Sequence, residues 1–328
     1  MELRARVLGR SGIRVSAVGM GCWAIGGPAW RGSDAVGWGT VDDAQSIRAV
    51  HRALDLGVTF FDTADTYGAG HSEAVLGKAL AGRRQDAIIA TKFGNTFTEG
   101  TGQMTGANAE PQYIRRACDD SLRRLGIGTI DLYQFHLGGY ETEKVPEVLD
   151  TLERLADAGK IRAYGWSTDD AERARLFARG KRCTTVQNQL NVLSDAPAVL
   201  AVCQELDLAS INRGPLAMGL LTGKYTADSR LPDNDVRCAN SPSWMSYFSK
   251  GAANPDLLRR LAGIRDILTS GGRTLAQGAL AWIWARSPRT VPIPGFKSAA
   301  QVEENAGAMA RGPLDAAQMK EIERLLGR

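Results

Sequence analysis

Residues 58–68, VTFFDTADTYG, combine a short apolar run with a carboxylate and a phenol. Residues 58–61 are β-branched or aromatic, a composition typical of a buried strand. Asp62 ends the run, and Tyr67 follows five residues later across the turn-like segment TADT. A free tyrosine has a pKa near ~10 and needs a neighbouring cation to lower it. The stretch therefore predicts a proton-donating site that requires a lysine from another strand.

Two further apolar runs end in residues that suit the same site. The segment AIIATKF carries Lys92 near its end, and IDLYQFH ends in His136. A buried ammonium would lower the pKa of the phenol, and Asp62 would keep Lys92 charged and oriented. We predict that Tyr67 supplies a proton to a substrate and that His136 donates a hydrogen bond to it. The alternatives are a structural Asp62–Lys92 ion pair, a packed loop tyrosine and a satisfied core histidine.

Strand-like and helix-like segments alternate along the chain, which indicates parallel βαβ units. We predict a hairpin over residues 4–15 and eight strands at 16–21, 58–62, 87–91, 130–135, 161–165, 184–188, 208–212 and 290–293. Helices are predicted at 43–56, 71–82, 110–125, 143–158, 169–179, 195–206, 255–269, 274–287, 298–310 and 314–327.

The alternation alone fits either a doubly wound sheet or a barrel. No GxGxxG follows the first strand, and the candidate catalytic residues follow several different strands. That distribution favours an α/β protein of the (β/α)₈ TIM-barrel type, with its site at the carboxyl ends of the strands. We expect residues 1–328 to form one barrel domain, with long loops over the site.

Composition excludes several classes of function. With 44% hydrophobic and 23% charged residues, the chain resembles an ordinary soluble globular protein. Five scattered cysteines without CxxC spacing argue against a disulfide framework and a zinc site, and three histidines argue against a His-rich metal site. A net charge of +4 is too small to indicate nucleic-acid binding. Because no apolar stretch approaches the ~20 residues of a membrane span, we expect a cytoplasmic protein.

Seven motifs occur in an order and spacing that resemble the aldo-keto reductase superfamily, in particular bacterial-type NADP-dependent members. They are FFDTADTYG, TKFG, DLYQFH, GWST, VQNQLN, GPLAMGLLTGKY and IPGFKSAAQVEEN. The resemblance implies a barrel capped by an N-terminal hairpin and a catalytic tetrad of Asp62, Tyr67, Lys92 and His136. It also implies NAD(P)H-dependent reduction of an aldehyde or ketone, with sugar- and polyol-derived carbonyls among the candidates.

Two late segments are predicted to hold the cofactor's phosphates. Glycines in 214–225 expose backbone amides, and a helix that opens near Ser298 beside Lys297 provides an anion site. Phosphate sites after the last two strands are common in barrels. The resemblance implies NADP(H) rather than NAD(H), although Gln301 stands where many NADPH-preferring members carry arginine. The complete predicted cofactor set is Gly21, Cys22, Trp23, Asp62, Ser167, Thr168, Gln187, Arg213, Gly214, Pro215, Leu216, Gly219, Leu221, Lys224, Gly295, Lys297, Ser298, Gln301, Glu304 and Asn305.

Within that set, the resemblance implies separate roles. Ser167 and Gln187 match residues that hold the nicotinamide carboxamide. Lys297, Ser298 and Gln301 match residues that face the adenosine 2′-phosphate, and Glu304 and Asn305 match residues that face adenine.

Two positions depart from the family pattern. Arg213-Gly214 replaces the usual aromatic-Ser pair, and Thr168 replaces an asparagine. We predict that Arg213 lies flat over the nicotinamide ring, where a cation would favour the neutral reduced ring over the charged oxidised one. The alternative is that Arg213 points outward to an anionic group on the substrate.

The predicted substrate pocket is walled by the 23–40 loop and the 226–253 excursion. Its candidate residues are Trp23, Trp30, Trp38, Phe93, Trp244 and Tyr247. Two other classes of function stay open: a cofactor-sensing regulatory or binding subunit, and a barrel lyase or aldolase that uses Lys92 as a Schiff-base amine. The expected partner is a small carbonyl compound, and the sequence does not determine the oligomeric state, with a homo-oligomer among the alternatives.

Overall fold

Eight parallel strands form the barrel at the centre of the molecule, whose computed structural model describes residues 5–238 and 241–328. The strands are β1 (Met20–Gly21), β2 (Phe60–Asp62), β3 (Ile88–Phe93), β4 (Ile130–Phe135), β5 (Ile161–Ser167), β6 (Cys183–Gln189), β7 (Ala209–Arg213) and β8 (Thr290–Pro292). Each strand pairs with its neighbour in chain order. The barrel closes where the backbone N–H groups of Gly19 and Gly21 donate to the carbonyls of Pro292 and Pro294, both at 2.9 Å. The predicted (β/α)₈ barrel is confirmed.

Ten helices, as far as the described residues show, cover the barrel. They are α1 (Asp43–Asp55), α2 (His71–Leu80), α3 (Pro111–Leu125), α4 (Val145–Asp157), α5 (Ala171–Phe177), α6 (Pro197–Glu205), α7 (Pro255–Thr269), α8 (Leu275–Arg286), α9 (Ala299–Arg311) and α10 (Ala316–Leu326). The first and last residues of each helix lie within two residues of the predicted ones. The agreement is close because residues near each end cap the helix. Asp170, for example, begins α5 by accepting from the N–H groups of Glu172 and Arg173.

The N-terminal hairpin, Ala5–Val7 paired with Arg14–Ser16, closes the bottom of the barrel. Its apolar side chains pack with inward-facing residues of the barrel strands in one buried cluster. The Arg10 guanidinium fastens the hairpin by donating to the carbonyls of Cys183, Ala178 and Gly180 at 2.7–2.8 Å. Residue 4, included in the predicted hairpin, lies outside the described residues.

The first barrel strand is much shorter than the prediction of residues 16–21. Ser16 belongs to the hairpin, where it pairs with Ala5. Gly19 passes so close to Phe60 that a Cβ there would lie 2.6 Å from the phenylalanine ring. Residues 17–19 therefore form a close-packed connection, and the first barrel strand begins at Met20.

Two loops at the mouth of the barrel contain strands that the sequence did not predict. A hairpin of Asn95–Thr98 and Gln103–Ala107 follows β3 and joins Trp30–Arg31 and Asp34–Ala35 in a four-stranded sheet. These strands are short, and most of their residues are part-exposed or exposed, so they lack the apolar alternation that predicts a strand. Within the described part of the chain, no helix has the length and apolarity needed to span a membrane.

A buried ion pair secures α2 behind the barrel. Glu73 is fully buried and accepts from Thr91 Oγ1 on β3 at 2.5 Å and from Arg124 Nε on α3 at 2.7 Å. The Arg124 side chain is itself only 5% exposed. Removing one partner of such a pair leaves an uncompensated buried charge.

We expect Glu73→Ala to lower the free energy of unfolding by about 3–5 kcal/mol, because Arg124 would lose its buried partner. Urea unfolding followed by tryptophan fluorescence measures this. Glu303→Ala is the matched control: its partner Arg52 is 43% exposed, so a loss within about 1 kcal/mol is expected. Equal, small losses in both variants would contradict a structural role for the Glu73–Arg124 pair.

Candidate active site

The ammonium of Lys92 lies at the centre of a buried polar network inside the barrel. Its Nζ donates to Asp62 Oδ1 at 2.5 Å, to the carbonyl of Thr63 at 2.8 Å and to the Tyr67 hydroxyl at 3.0 Å. An ammonium has three N–H donors, so all three have partners. The other oxygen of Asp62 accepts from the amides of Gln134 and Gln187 at 2.8 and 2.7 Å. The lysine is therefore held in one position.

Lys92 stays charged and Tyr67 stays protonated in this network. Burial lowers the pKa of Lys92, but the opposing effects of Asp62 and Tyr67 raise it above its ordinary value. Burial raises the pKa of Tyr67, and it outweighs the lowering by Lys92. Lys92 lowers the pKa of the phenol as expected, but burial disfavours the phenolate more strongly, so the net shift is upward. A protonated phenol is the form that an acid requires.

His136 lies beside Tyr67 and is neutral. The two rings meet edge to face with centroids 6.1 Å apart. Burial, with the charges of Lys92 and Arg213, holds the pKa of His136 well below its ordinary value. Its Nδ1 is buried and has no partner among the described residues. A neutral imidazole can donate one hydrogen bond to a ligand without adding a second cation beside Lys92.

A cavity of about 830 Å³ opens at the carboxyl ends of the strands, above this network. Asp62, Tyr67 and His136 line it, while Lys92 lies beneath, fully buried. Most of the predicted cofactor positions also line it, namely Gly21, Trp23, Ser167, Gln187, Arg213, Gly214, Pro215, Leu216, Gly219, Lys224, Gly295, Lys297, Gln301, Glu304 and Asn305. Residues from both ends of the chain thus converge on a single cavity.

Four predicted cofactor residues lie outside the cavity lining. Cys22 and Leu221 are fully buried in the core, and Thr168 Oγ1 donates to the carbonyl of Gly138 at 3.1 Å. Ser298 is the N-cap of α9, where its hydroxyl accepts from the Gln301 N–H. These side chains satisfy local packing and capping needs, which a motif position does not reveal.

Four of the predicted substrate residues line the cavity: Trp23, Trp38, Trp244 and Tyr247. Trp23 stacks on Tyr67 with ring centroids 5.8 Å apart. The ring centroids of Trp38 and Trp244 lie 5.4 and 6.3 Å from that of Trp23. An aromatic wall therefore adjoins the phenol.

The other two predicted substrate residues do not reach the cavity. Phe93 is fully buried against Tyr133 and Phe135, with ring centroids 4.5 and 5.3 Å away. Because side chains alternate along a strand, Lys92 points into the barrel and Phe93 points to the helices. Trp30 lies in the four-stranded sheet, over Gly102. Both assignments were wrong.

Arg213 carries a partner that the sequence did not indicate. Its guanidinium forms an ion pair with Asp169, and Nη1 donates to Gln189 Oε1 at 3.3 Å. The cation is therefore compensated, contrary to the premise of the sequence prediction. Whether the group covers a nicotinamide ring stays a prediction.

Sequence reasoning also missed a group of polar cavity residues: Arg31, Asn95, Asp169, Gln189 and Arg237. Arg237 forms a buried ion pair with Asp235 at 2.7 Å, donates to the Met218 carbonyl and the Tyr225 hydroxyl, and lies 4.5 Å over the Trp38 ring. Lys297 Nζ donates to the Trp38 carbonyl at 2.5 Å. For Arg237 the local sequence shows a cluster of charges with Asp233 and Asp235 in an irregular segment, a pattern that usually indicates a solvated loop.

The comparison with known sequences decides the family. The sequence model of the family described as "Aldo/keto reductase family" matches residues 17–326, nearly the whole chain. The chain belongs to the aldo/keto reductase family. Aldo-keto reductase yakc (NADP(+)) of Schizosaccharomyces pombe is 33% identical over 98% of this chain and 91% of its own length.

Two solved structures of this family are similar throughout. A glycerol dehydrogenase from Gluconobacter oxydans is 30% identical, with a TM-score of 0.82 over 99% of this chain and 95% of that chain. The holo form of an aldo-keto reductase from Bacillus halodurans is 31% identical, with a TM-score of 0.78 over 98% and 96%. This aldo/keto reductase therefore shares its overall fold with both.

The lowered pKa of His136 makes stability depend on pH. In the unfolded chain a histidine has a pKa near ~6.5, whereas the pKa of His136 in the native protein lies well below that value. The contribution of neutral His136 to the free energy of unfolding is therefore fully present above pH ~6.5 and is lost as the pH falls below it. We expect the wild type to lose about 1.4 kcal/mol per pH unit more than His136→Gln between about pH 6 and pH 5. Urea unfolding at several pH values measures the difference. Parallel curves would show that His136 is not held neutral.

Proposed function

We propose that this aldo/keto reductase uses NADP(H) to reduce an aldehyde or ketone to the alcohol. The observation that carries the proposal is the contact of the Lys92 ammonium with both the Asp62 carboxylate and the Tyr67 hydroxyl at the base of the cavity. The NADP(+) in the name of the yeast relative supports the choice of cofactor. The glycerol dehydrogenase supports a small polyol or its carbonyl form as substrate.

The cavity fits a dinucleotide phosphate. Lys224, Arg237 and Lys297 line its wall. Burial, together with the charges of Arg237 and Lys224, lowers the pKa of Lys297 despite the opposing effect of Asp235. Helix α9 begins beside the same region, since Lys297, Gln301, Glu304 and Asn305 line the cavity, and a helix N-terminus favours an anion. Gly214, with φ +61° and open space where a Cβ would lie, leaves its backbone accessible. Lys297 would hold the 2′-phosphate, and Ser167 and Gln187 would hold the carboxamide.

The residues of the chain perform the acid chemistry. When bound, the cofactor supplies the hydride. Tyr67 then gives its proton to the carbonyl oxygen, and Lys92 stabilises the phenolate that remains. Asp62 holds Lys92 charged and in place, and neutral His136 donates a hydrogen bond that orients the carbonyl. Trp23 and Trp38 exclude water beside the phenol and present flat faces that suit sugar or polyol carbons.

The two alternative functions fit the site less well. A Schiff base requires a free amine, but all three donors of Lys92 are occupied and its pKa is raised. A regulatory subunit that senses cofactor has no use for a protonated phenol beside a lysine. The single domain and the cytoplasmic location stay predictions.

Tyr67→Phe should lower turnover ~10²–10⁴-fold, because the general acid is removed. NADPH affinity should stay nearly unchanged, since the phenol contacts substrate. NADPH oxidation with glyceraldehyde and other polyol-derived carbonyls measures turnover, and cofactor fluorescence measures binding. Tyr140→Phe is the control, because its ring packs on Phe135 outside the cavity lining. Retention of more than about a tenth of turnover in Tyr67→Phe would remove Tyr67 from this role.

Lys297→Ala should weaken NADPH binding about ten- to a hundredfold and leave NADH binding unchanged, because only NADPH carries the 2′-phosphate. Titration of each cofactor by fluorescence gives the two dissociation constants. Lys320→Ala, a change at an exposed position of α10, serves as the control. Equal losses for both cofactors would assign Lys297 to holding the Trp38 loop and not to the phosphate.

A further inference from the structure

Asp169, Gln189 and Arg213 form one layer of side chains at the mouth of the barrel. Gln189 is the register partner of Arg213 across β6 and β7. Two residues deeper, Ser167 pairs with Gln187 and Gln187 pairs with Ile211. Since alternate residues of a strand face the same side and rise ~3.3 Å each, the two layers lie about 7 Å apart. The outer layer therefore lies directly above the proposed carboxamide site.

Asp169 is held in place without help from Arg213. Its Oδ1 accepts from the backbone N–H of Gln189 at 2.7 Å, and its Oδ2 forms the ion pair with Arg213. The Gln189 side chain accepts from the same guanidinium. A carboxylate anchored to a barrel strand therefore fixes the position of the Arg213 guanidinium and offsets its charge.

We propose that Asp169 is a charge-balancing residue, which offsets Arg213 and so sets the preference of the site between reduced and oxidised cofactor. This inference rests on the proposed function, because it requires a nicotinamide ring beneath the outer layer. The reduced ring is neutral and the oxidised ring carries a positive charge, so an uncompensated guanidinium would repel only the oxidised form. With Asp169 in place, the pair presents little net charge to either form.

The charge of Arg213 influences other residues that line the cavity. After burial and Lys92, it is a further cause of the lowered pKa of His136. Asp169, Gln189 and Arg213 line the same cavity as Tyr67 and His136. The ion pair is partly exposed, at 40% for Arg213 and 54% for Asp169, so water screens it and its influence is moderate.

Fluorescence titration of NADPH and NADP⁺ with four proteins tests the proposal: wild type, Asp169→Asn, Arg213→Gln and the double variant. Asp169→Asn should raise the ratio of the NADP⁺ to the NADPH dissociation constant about three- to tenfold, and Arg213→Gln should lower it by a similar factor. The double variant should return to within about twofold of wild type. Glu172→Gln, the same loss of charge at an exposed residue three positions along, should leave the ratio unchanged.

A purely structural ion pair gives a different result. Both single variants would then weaken the two cofactors by the same factor, and an unchanged ratio in all four proteins would overturn the proposal while leaving the proposed function intact. Failure of the wild type to bind either cofactor would instead overturn the proposed function itself, and with it this inference.

Discussion

The buried ammonium of Lys92 is the constraint on which the site depends. A charge at that depth is stable only when each donor has a partner, since an unpaired buried charge is very costly. Asp62 and the phenol of Tyr67 provide two of the partners, and Gln134 and Gln187 complete the shell of the carboxylate. These residues come from four barrel strands or the loop beside them, so the rigid barrel itself positions the acid.

Further ion pairs between a cation and a carboxylate lie outside that centre, and they are less buried the nearer they lie to the surface. Glu73 and Arg124 secure α2 behind the loop that carries Tyr67. At the mouth, Arg237 pairs with Asp235 and packs on Trp38, which joins the excursion after β7 to the loop after β1. The outermost pair is Asp169 with Arg213, where exposure lets water screen both charges.

Much of the fold and of the central site could be predicted, because both are encoded locally. Apolar runs mark buried strands, and Asp62, Lys92 and His136 stand at strand ends that parallel topology brings together. The prediction failed where a side chain's direction or partner depended on distant segments. The motif position of Phe93 predicts a pocket residue, but strand alternation turns its side chain to the helices. Asp169 carries no local signal, because its partner lies 44 residues away.

The sequence by itself determined the alternation of strands and helices, the ends of most elements, and the phenol of Tyr67 with the three residues around it. These features follow from hydrophobic periodicity, capping and strand-end position, all of which act over a few residues. The tertiary structure alone decided the shape and charge of the mouth. Its sheet, its aromatic wall and its Asp169–Arg213 pair form between segments far apart in the chain, where contact depends on how the closed barrel brings the loops together.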